Sequence, residues 1–255
     1  MLVTDGVSIA LADGILSIRF SRPDKKNAIT SAMYLAMAEA LLSIDTSVRA
    51  VLFSGEGDSF SAGNDLKDFL AAPPQDDNHP TIHFIRALPK VPVPMVAAVQ
   101  GSAVGIGTTL LLHCDLVIAA TNAVFALPFT KLGLVPEAGS SLLLPQLMGY
   151  QRAARLLLLG DSFTAQEAER FGLVGQLVEP DQLEPATQKV IGKLRALPAS
   201  ALRATKALLK SDSGRTLSRI DEELTVFKDR LTSPELKEAA TAFLEKRQPD
   251  FTKFS

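Results

Sequence analysis

The stretch VQGSAVGIGTTLLLHCDL, residues 99–116, decides which fold this chain is predicted to adopt. Gly101, Gly105 and Gly107 lie between an apolar run and a segment with helical character. Glycine in such a turn lets the backbone bend sharply and lets another group come close to it. The first N–H groups of a helix have no partner within the helix. The stretch therefore predicts a site for an anion, or for an oxygen that becomes negatively charged.

A second stretch of the same kind, GEGDSFSAGNDLKDF at residues 55–69, closes the apolar run AVLFSG. Gly63 again lies just before a segment with helical character. Close packing of a strand against a helix would explain one such turn. Two turns can direct two backbone N–H groups at one oxygen, which is the arrangement of an oxyanion hole.

Apolar runs alternate with helical patterns through the first half of the chain, which predicts an α/β protein with a mostly parallel sheet. After Gly139 almost every segment is patterned as helix. Thr30 or Ser31 is expected to cap the first helix, and the polar segment AAPPQDDNHP, 71–80, is expected to be a loop. The remaining strands are expected at 8–11, 15–20, 50–55, 94–101 and 115–120, and helices at 32–44, 82–88 and 108–114.

Composition excludes several classes of function. The 255 residues are 47% hydrophobic and 21% charged, and the formal net charge of −2 argues against a nucleic-acid-binding protein. Cys114 is the single cysteine, and the three histidines lack metal-ligand spacing, so neither a disulfide nor a metal site is expected. Neither a signal peptide nor an apolar run of about 20 residues is readable, which predicts a cytoplasmic protein without a membrane span.

The G-x-x-x-G-x-G pattern also resembles the nucleotide-binding turn of short-chain dehydrogenases. That turn normally opens the first βα unit, whereas this one lies in the middle of the chain. The dehydrogenases also need Tyr-x-x-x-Lys, and here Tyr34 and Tyr150 are followed at that spacing by Ala38 and Ala154. The dehydrogenase interpretation is therefore disfavoured.

Five motifs resemble the crotonase (enoyl-CoA hydratase/isomerase) superfamily in order and spacing: RPDKKNAI, FSAGNDL, AAVQGSAVGIG, CDLVIAA and PFTKLGLVPEAGSS. The resemblance covers nearly the whole chain. It implies a ββα superhelix, with a core domain over residues 1–195 and a C-terminal helical trimerisation region over 196–255. It also implies an acyl-CoA thioester as ligand, no separate cofactor because coenzyme A is part of the substrate, and a homotrimer or hexamer.

The resemblance assigns roles to particular residues. The N–H groups of Asn64 and Ile106 would hold the thioester oxygen, with Gly63 and Gly105 leaving room for its approach. Coenzyme A would lie near the backbone of Ala28, Ala62, Asp65 and Leu66, with Lys25, Lys26 and Lys67 as the nearest cations. The acyl tail is expected among Phe69, Leu70, Phe84, Phe129 and Leu134.

Hydratases of the superfamily hold water with two glutamates, and this chain has Thr109 and Phe129 at those positions. A lone acid, Glu137 in VPEAGSS, stands in the P-E-x-x-S-S context of peroxisomal-type Δ3,Δ2-enoyl-CoA isomerases. Its apolar neighbours would raise its pKa toward the range useful to a general base. We therefore expect an isomerase of fatty acid β-oxidation that moves a 3-enoyl-CoA double bond to the 2-trans position. A hydratase, another enolate-forming acyl-CoA enzyme and a non-catalytic CoA-binding module remain alternatives.

Overall fold

The computed structural model describes residues 2–4 and 6–254 of the chain, and the side chains of these residues except 2–4, 243 and 244. Ten strands are found in this described part. Their bounds are β1 Leu2–Thr4, β2 Val7–Ala12, β3 Ile15–Phe20, β4 Ala50–Gly55, β5 Met95–Val99, β6 Ser102–Val104, β7 Leu116–Ala120, β8 Val124–Ala126, β9 Phe163–Thr164 and β10 Gln176–Val178.

Seven strands form the main sheet in the order β1-β2-β3-β4-β5-β7-β10. The pairs β1–β2 and β2–β3 are antiparallel, and every later pair from β3 to β10 is parallel. Phe20 pairs with Gly55, and Ser54 pairs with Ala98, so the strands end together at one edge of the sheet. The loops that carry the two glycine turns therefore leave the sheet side by side.

A smaller sheet, in the order β6-β8-β9, lies beyond that edge. The chain reaches it by turning at Gly101, where φ is +55°, directly after β5. Strands β6 and β8 are parallel, with Ala103 opposite Phe125, and Ser61 makes an isolated parallel bridge to Ala103. Successive strand–turn–strand units are thus stacked on one another.

The helices of the described part follow the strands. Their bounds are α1 Ser31–Leu42, α2 Leu66–Ala71, α3 Pro80–Ala87, α4 Ile106–Thr109, α5 Ser140–Met148, α6 Tyr150–Leu159, α7 Ala165–Arg170, α8 Leu183–Ala196, α9 Ala199–Leu209, α10 Ser213–Arg230 and α11 Pro234–Leu244. Thr30 caps α1, as predicted, because its hydroxyl accepts the N–H of Met33. The helix predicted at 108–114 begins earlier, as α4 at Ile106, and continues as a 3₁₀ turn at Leu110–His113.

Both faces of the parallel strands are buried, which explains why these strands are apolar throughout. In β5, Met95 and Val99 face the larger core, while Val96 and Ala98 face a second core. Ile191 of α8 belongs to that second core. The helix α8 therefore covers one face of the sheet and leaves the other for the rest of the chain.

Within the described residues, no helix combines the length and apolarity needed to cross a membrane. The predicted division between residues 195 and 196 falls at the last residue of α8. A separate C-terminal trimerisation region stays a prediction.

Candidate active site

The two glycine turns are in contact with each other. The Ser61 N–H donates to the Ser102 carbonyl oxygen, and the Val104 N–H donates to the Ser61 carbonyl oxygen, each with an N···O distance of 2.9 Å. Gly63 has φ of +86°, and a Cβ on it would lie 2.7 Å from the Val104 carbonyl oxygen. Side chains larger than hydrogen are therefore excluded at Gly63 by its conformation and by its neighbour.

The residues that follow Gly63 and Gly105 have backbone N–H groups without a hydrogen-bond acceptor in the described structure. Within the described residues, the N–H groups of Asn64 and Ile106 donate no hydrogen bond to another residue. Gly105, with φ of +55°, precedes Ile106, and a Cβ there would meet nothing within 4 Å. The space in front of the second turn is therefore open.

One cavity of about 780 Å³ contains this open space. Its lining includes thirteen of the residues that the sequence predicted for catalysis or substrate binding. These residues are Lys25, Ala28, Ala62, Gly63, Asn64, Asp65, Leu66, Lys67, Gly105, Ile106, Phe129, Leu134 and Glu137.

Glu137 stands on the segment between β8 and α5 and is about 5% exposed. Its Oε1 accepts a hydrogen bond from the Thr109 hydroxyl at 2.5 Å, whereas Oε2 is buried and has no partner in the described structure. Burial raises the pKa of Glu137 to about 8; the Thr109 hydrogen bond opposes this rise, and the negative charge of Glu223 adds to it. Glu137 therefore combines a free oxygen with the basicity of a general base.

Asp65 is the other carboxylate among the described residues that line the cavity. Its side chain pairs with Arg22 at 3.0 Å and accepts the N–H groups of Lys67 and Asp68 at the start of α2. Asp65 is therefore occupied by structural contacts, and Glu137 remains as the carboxylate free to act on a ligand.

Buried polar residues that sequence reasoning missed support both sides of the site. Burial, followed by the charges of Glu137 and Asp68, raises the pKa of Tyr34 well above its usual value. The protonated Tyr34 hydroxyl donates to Asn64 Oδ1 at 2.5 Å. The sequence relates Tyr34 only to the dehydrogenase pattern, and no sequence pattern links it to Asn64.

His113 supports the segment that carries Glu137. Its Nε2 lies 2.8 Å from the Ala138 carbonyl oxygen, to which it donates a hydrogen bond. Burial lowers the pKa of His113 to about 4, so the ring is neutral near pH 7. A lone buried histidine thus has a structural partner, and within the described residues no group of three or more histidine, cysteine or acidic residues could hold a metal.

Cations line the cavity where the sequence predicted that coenzyme A would bind. Lys25 and Lys67 line it, but Lys26 does not. Arg22, which the sequence interpretation did not select, also lines it and donates to the Ala28 carbonyl oxygen at 2.7 Å. The sequence signal that could have identified Arg22 is its place in the RPDKKNAI motif, which also contains Lys25.

The apolar end of the cavity differs in part from the prediction. Phe69, Phe129 and Leu134 line it, as expected. Leu70 is 39% exposed and lies outside it, and Phe84 is buried with its ring 5.4 Å from the ring of Tyr34. A second, much smaller cavity beyond Glu137 is lined by apolar residues that include Phe69, Ile82, Ile85, Leu224 and Phe227.

Comparisons with known proteins point to a single family. Residues 11–253 match the model of the family described as Enoyl-CoA hydratase/isomerase. The chain is 35% identical to the 1,2-epoxyphenylacetyl-CoA isomerase of Escherichia coli (strain K12), over 94% of this chain and 95% of that protein. It is 36% identical to enoyl-CoA delta isomerase 2 of Rattus norvegicus, over 95% of this chain and 64% of that protein. Proteins with hydratase names match at 32–36% identity.

Among solved structures, the enoyl-CoA hydratase/isomerase of Pseudoalteromonas atlantica T6c is 38% identical and has a TM-score of 0.92. The match covers 97% of this chain and all of that one. The predicted α/β architecture of stacked ββα units is thereby confirmed.

Proposed function

Because the chain belongs to the enoyl-CoA hydratase/isomerase family, whose members act on acyl-CoA thioesters, we propose that it is a Δ3,Δ2-enoyl-CoA isomerase. The observation that carries this proposal is the pairing of one unoccupied buried carboxyl group with two unused backbone donors on the same cavity. A double-bond shift needs one base that takes a proton from one carbon and returns it to another. It needs no second carboxylate and no cofactor.

In the proposed reaction, the Glu137 carboxylate removes a proton from C2 of a 3-enoyl-CoA. The electron pair of the broken C–H bond moves through the thioester, and negative charge develops on its oxygen. The N–H groups of Asn64 and Ile106 stabilise that oxygen, and loss of one such donor typically costs about 10²–10³ in rate. The protonated Glu137 then delivers its proton to C4, which leaves the double bond between C2 and C3.

The environment of Glu137 supports both halves of this cycle. A carboxyl group with a pKa of about 8 is a stronger base than an exposed glutamate and remains able to return the proton. The base must be ionised in the free enzyme. We therefore expect kcat/KM to rise with pH and to level off above about pH 8.

The test uses two substrates and one matched pair of variants. Purified protein is mixed with 3-hexenoyl-CoA or with crotonyl-CoA while the absorbance of the conjugated thioester is followed. Isomerisation increases the absorbance with the first substrate, and hydration decreases it with the second. Glu137→Gln should lower the isomerase rate by about 10²–10⁴. Glu222→Gln, a change at a 65% exposed side chain, should leave the rate unchanged.

Each remaining outcome contradicts the proposal in its own way. Loss of crotonyl-CoA absorbance without isomerisation would favour a hydratase. Binding of CoA thioesters with no absorbance change would favour a non-catalytic module. Full isomerase activity in Glu137→Gln would remove Glu137 from the mechanism.

A second candidate is hydration or another enolate-forming reaction, because relatives of similar identity carry hydratase and epoxyphenylacetyl-CoA isomerase names. Hydration would require this site to hold a water between an acid and a base. Thr109 and Phe129, which stand at the two hydratase glutamate positions, have no ionisable group. The site therefore supports isomerisation better than hydration.

The setting of the enzyme remains a proposal as well. We propose a trimeric or hexameric cytoplasmic enzyme of fatty acid β-oxidation.

A further inference from the structure

The segment that carries Glu137 has an unusual backbone conformation. Ala138 and Gly139, the two residues after it, both have positive φ, at +57° and +74°. A left-handed alanine is uncommon because its Cβ crowds the backbone. Such a turn persists only when surrounding contacts hold it in place.

The helix α5 begins directly after this turn, at Ser140, and its N-cap residue is Gly139. Glycine has no side chain with which to accept the free N–H groups at the helix start. The first turn of α5 also lacks an acidic residue of its own. The cap must therefore come from elsewhere in the chain.

Glu223 of α10 supplies this cap from 84 residues away in sequence. Its Oε2 accepts the Gly139 N–H at 2.6 Å, and its Oε1 accepts the Ser141 N–H at 2.8 Å. The side chain is about 7% exposed. Each carboxylate oxygen accepts one donor, an arrangement that suits the ionised form.

We propose that Glu223 is a positioning residue for Glu137: it holds the turn that carries the base and places a negative charge behind it. This inference rests on the proposed function, in which Glu137 is the base. Two carboxylates that share a buried region cannot both ionise freely, so the charge of Glu223 opposes ionisation of Glu137. The direction of the Glu137 pKa is consistent with this arrangement, because the charge of Glu223 contributes to its rise.

Other charged and titratable groups lie around Glu137 and Glu223. Burial raises the pKa of Glu223, and its hydrogen bonds with Ser141 and Gly139 oppose this rise. The charge of Arg219, which pairs with Glu222, opposes it as well. Facing Glu137 are the Tyr34 hydroxyl, the Thr109 hydroxyl and, through the Ala138 carbonyl, the neutral ring of His113. Charged groups of the surrounding elements have partners of their own: Asp68 with Ser31, Arg86 with Asp77 and Asp221, Arg155 with Glu167, and Arg230 with Gly133 and Glu235.

The first experiment replaces Glu223 with glutamine. A glutamine can accept only one of the two N–H groups, and its NH₂ group would face the other donor. We expect kcat of Glu223→Gln to fall with KM little changed. We also expect the rising limb of its pH–rate curve to move to lower pH, by about half a unit or more. Glu222→Gln, the neighbouring change on the same helix, should leave the limb where it is in the parent.

A second measurement does not depend on activity. The infrared C=O absorption of protonated buried carboxyl groups is followed against pH in the parent, Glu137→Gln and Glu223→Gln. Glu223→Gln should lower the titration midpoint of Glu137, because the negative charge beside that carboxyl group is removed. In Glu137→Gln the band that remains should be that of Glu223, and its midpoint should lie below that of the band that is lost, because Glu223 must already be charged when Glu137 titrates. The order of the two midpoints, read from the parent and Glu137→Gln, tests the proposal by itself if Glu223→Gln does not fold.

An unchanged Glu137 midpoint in Glu223→Gln would overturn the proposal, and so would a pH–rate limb that stays in place while kcat falls. A Glu223 band in Glu137→Gln that titrates above the Glu137 band of the parent would also overturn it. Failure of the proposed function looks different. In that case Glu137→Gln would retain isomerase activity, whereas the infrared midpoints would still report whether the two carboxyl groups are coupled.

Discussion

Replacing Glu137 with glutamine should change how the stability of the protein depends on pH. In the folded protein the carboxyl group keeps its proton until about pH 8, whereas in the unfolded chain it releases the proton near its ordinary value of 4.5. Between these values the unfolded state binds fewer protons, so raising the pH favours unfolding. The stability that Glu137 contributes is therefore fully present below about pH 4.5 and is lost as the pH rises through 8.

The size of the effect follows from the same pKa. One pKa unit corresponds to about 1.4 kcal/mol, so the rise from 4.5 to about 8 corresponds to about 5 kcal/mol against burial of the charged form. This is comparable with the whole stability of many proteins, about 5–15 kcal/mol. The glutamine variant carries no such charge. Its stability relative to the parent should therefore increase by several kcal/mol, at about 1.4 kcal/mol per pH unit, between pH 5 and 8.

The assay is urea unfolding of the parent and of Glu137→Gln at pH values from 5 to 9. Protein concentration is held constant so that any self-association affects both proteins equally. Glu222→Gln serves as the matched control, because its side chain is exposed and its curve should run parallel to that of the parent. A stability difference between Glu137→Gln and the parent that stays constant over this pH range would refute the reasoning.

Three further substitutions test individual contacts of the site. Gly63→Ala should lower the urea midpoint by an amount equivalent to about 1–3 kcal/mol, because a Cβ would lie 2.7 Å from the Val104 carbonyl oxygen at a positive φ; an unchanged midpoint would contradict this. Thr109→Val removes the hydroxyl that stabilises the ionised Glu137, so the rising limb of kcat/KM should move to higher pH. A limb that moved to lower pH would contradict the role of Glu137 as the base. Tyr34→Phe removes the hydrogen bond to Asn64 and should lower kcat by roughly three- to tenfold, with parental kcat as the contrary result.

Local chemistry in the sequence was sufficient to predict much of the fold. Apolar runs such as AVLFSG and the cap at Thr30 depend on properties of neighbouring residues, and the structure places β4 and α1 where they predict. Gly63 and Gly105 were recognisable because turns at positive φ require glycine. Glu137 was recognisable as a lone acid in an apolar segment with a family motif around it.

The tertiary structure alone decided which distant side chains act on that acid. Thr109 is 28 residues from Glu137, and Glu223 is 84 residues from the glycine whose N–H it accepts. Such contacts depend on how helices pack across the core, and no periodicity or capping pattern carries that information. The same limit explains Phe84, which has the character of a cavity residue and is instead packed against a buried ring. Sequence thus determined the strands, the turns and the acid, while packing over long sequence distances determined the environment that makes the acid a base.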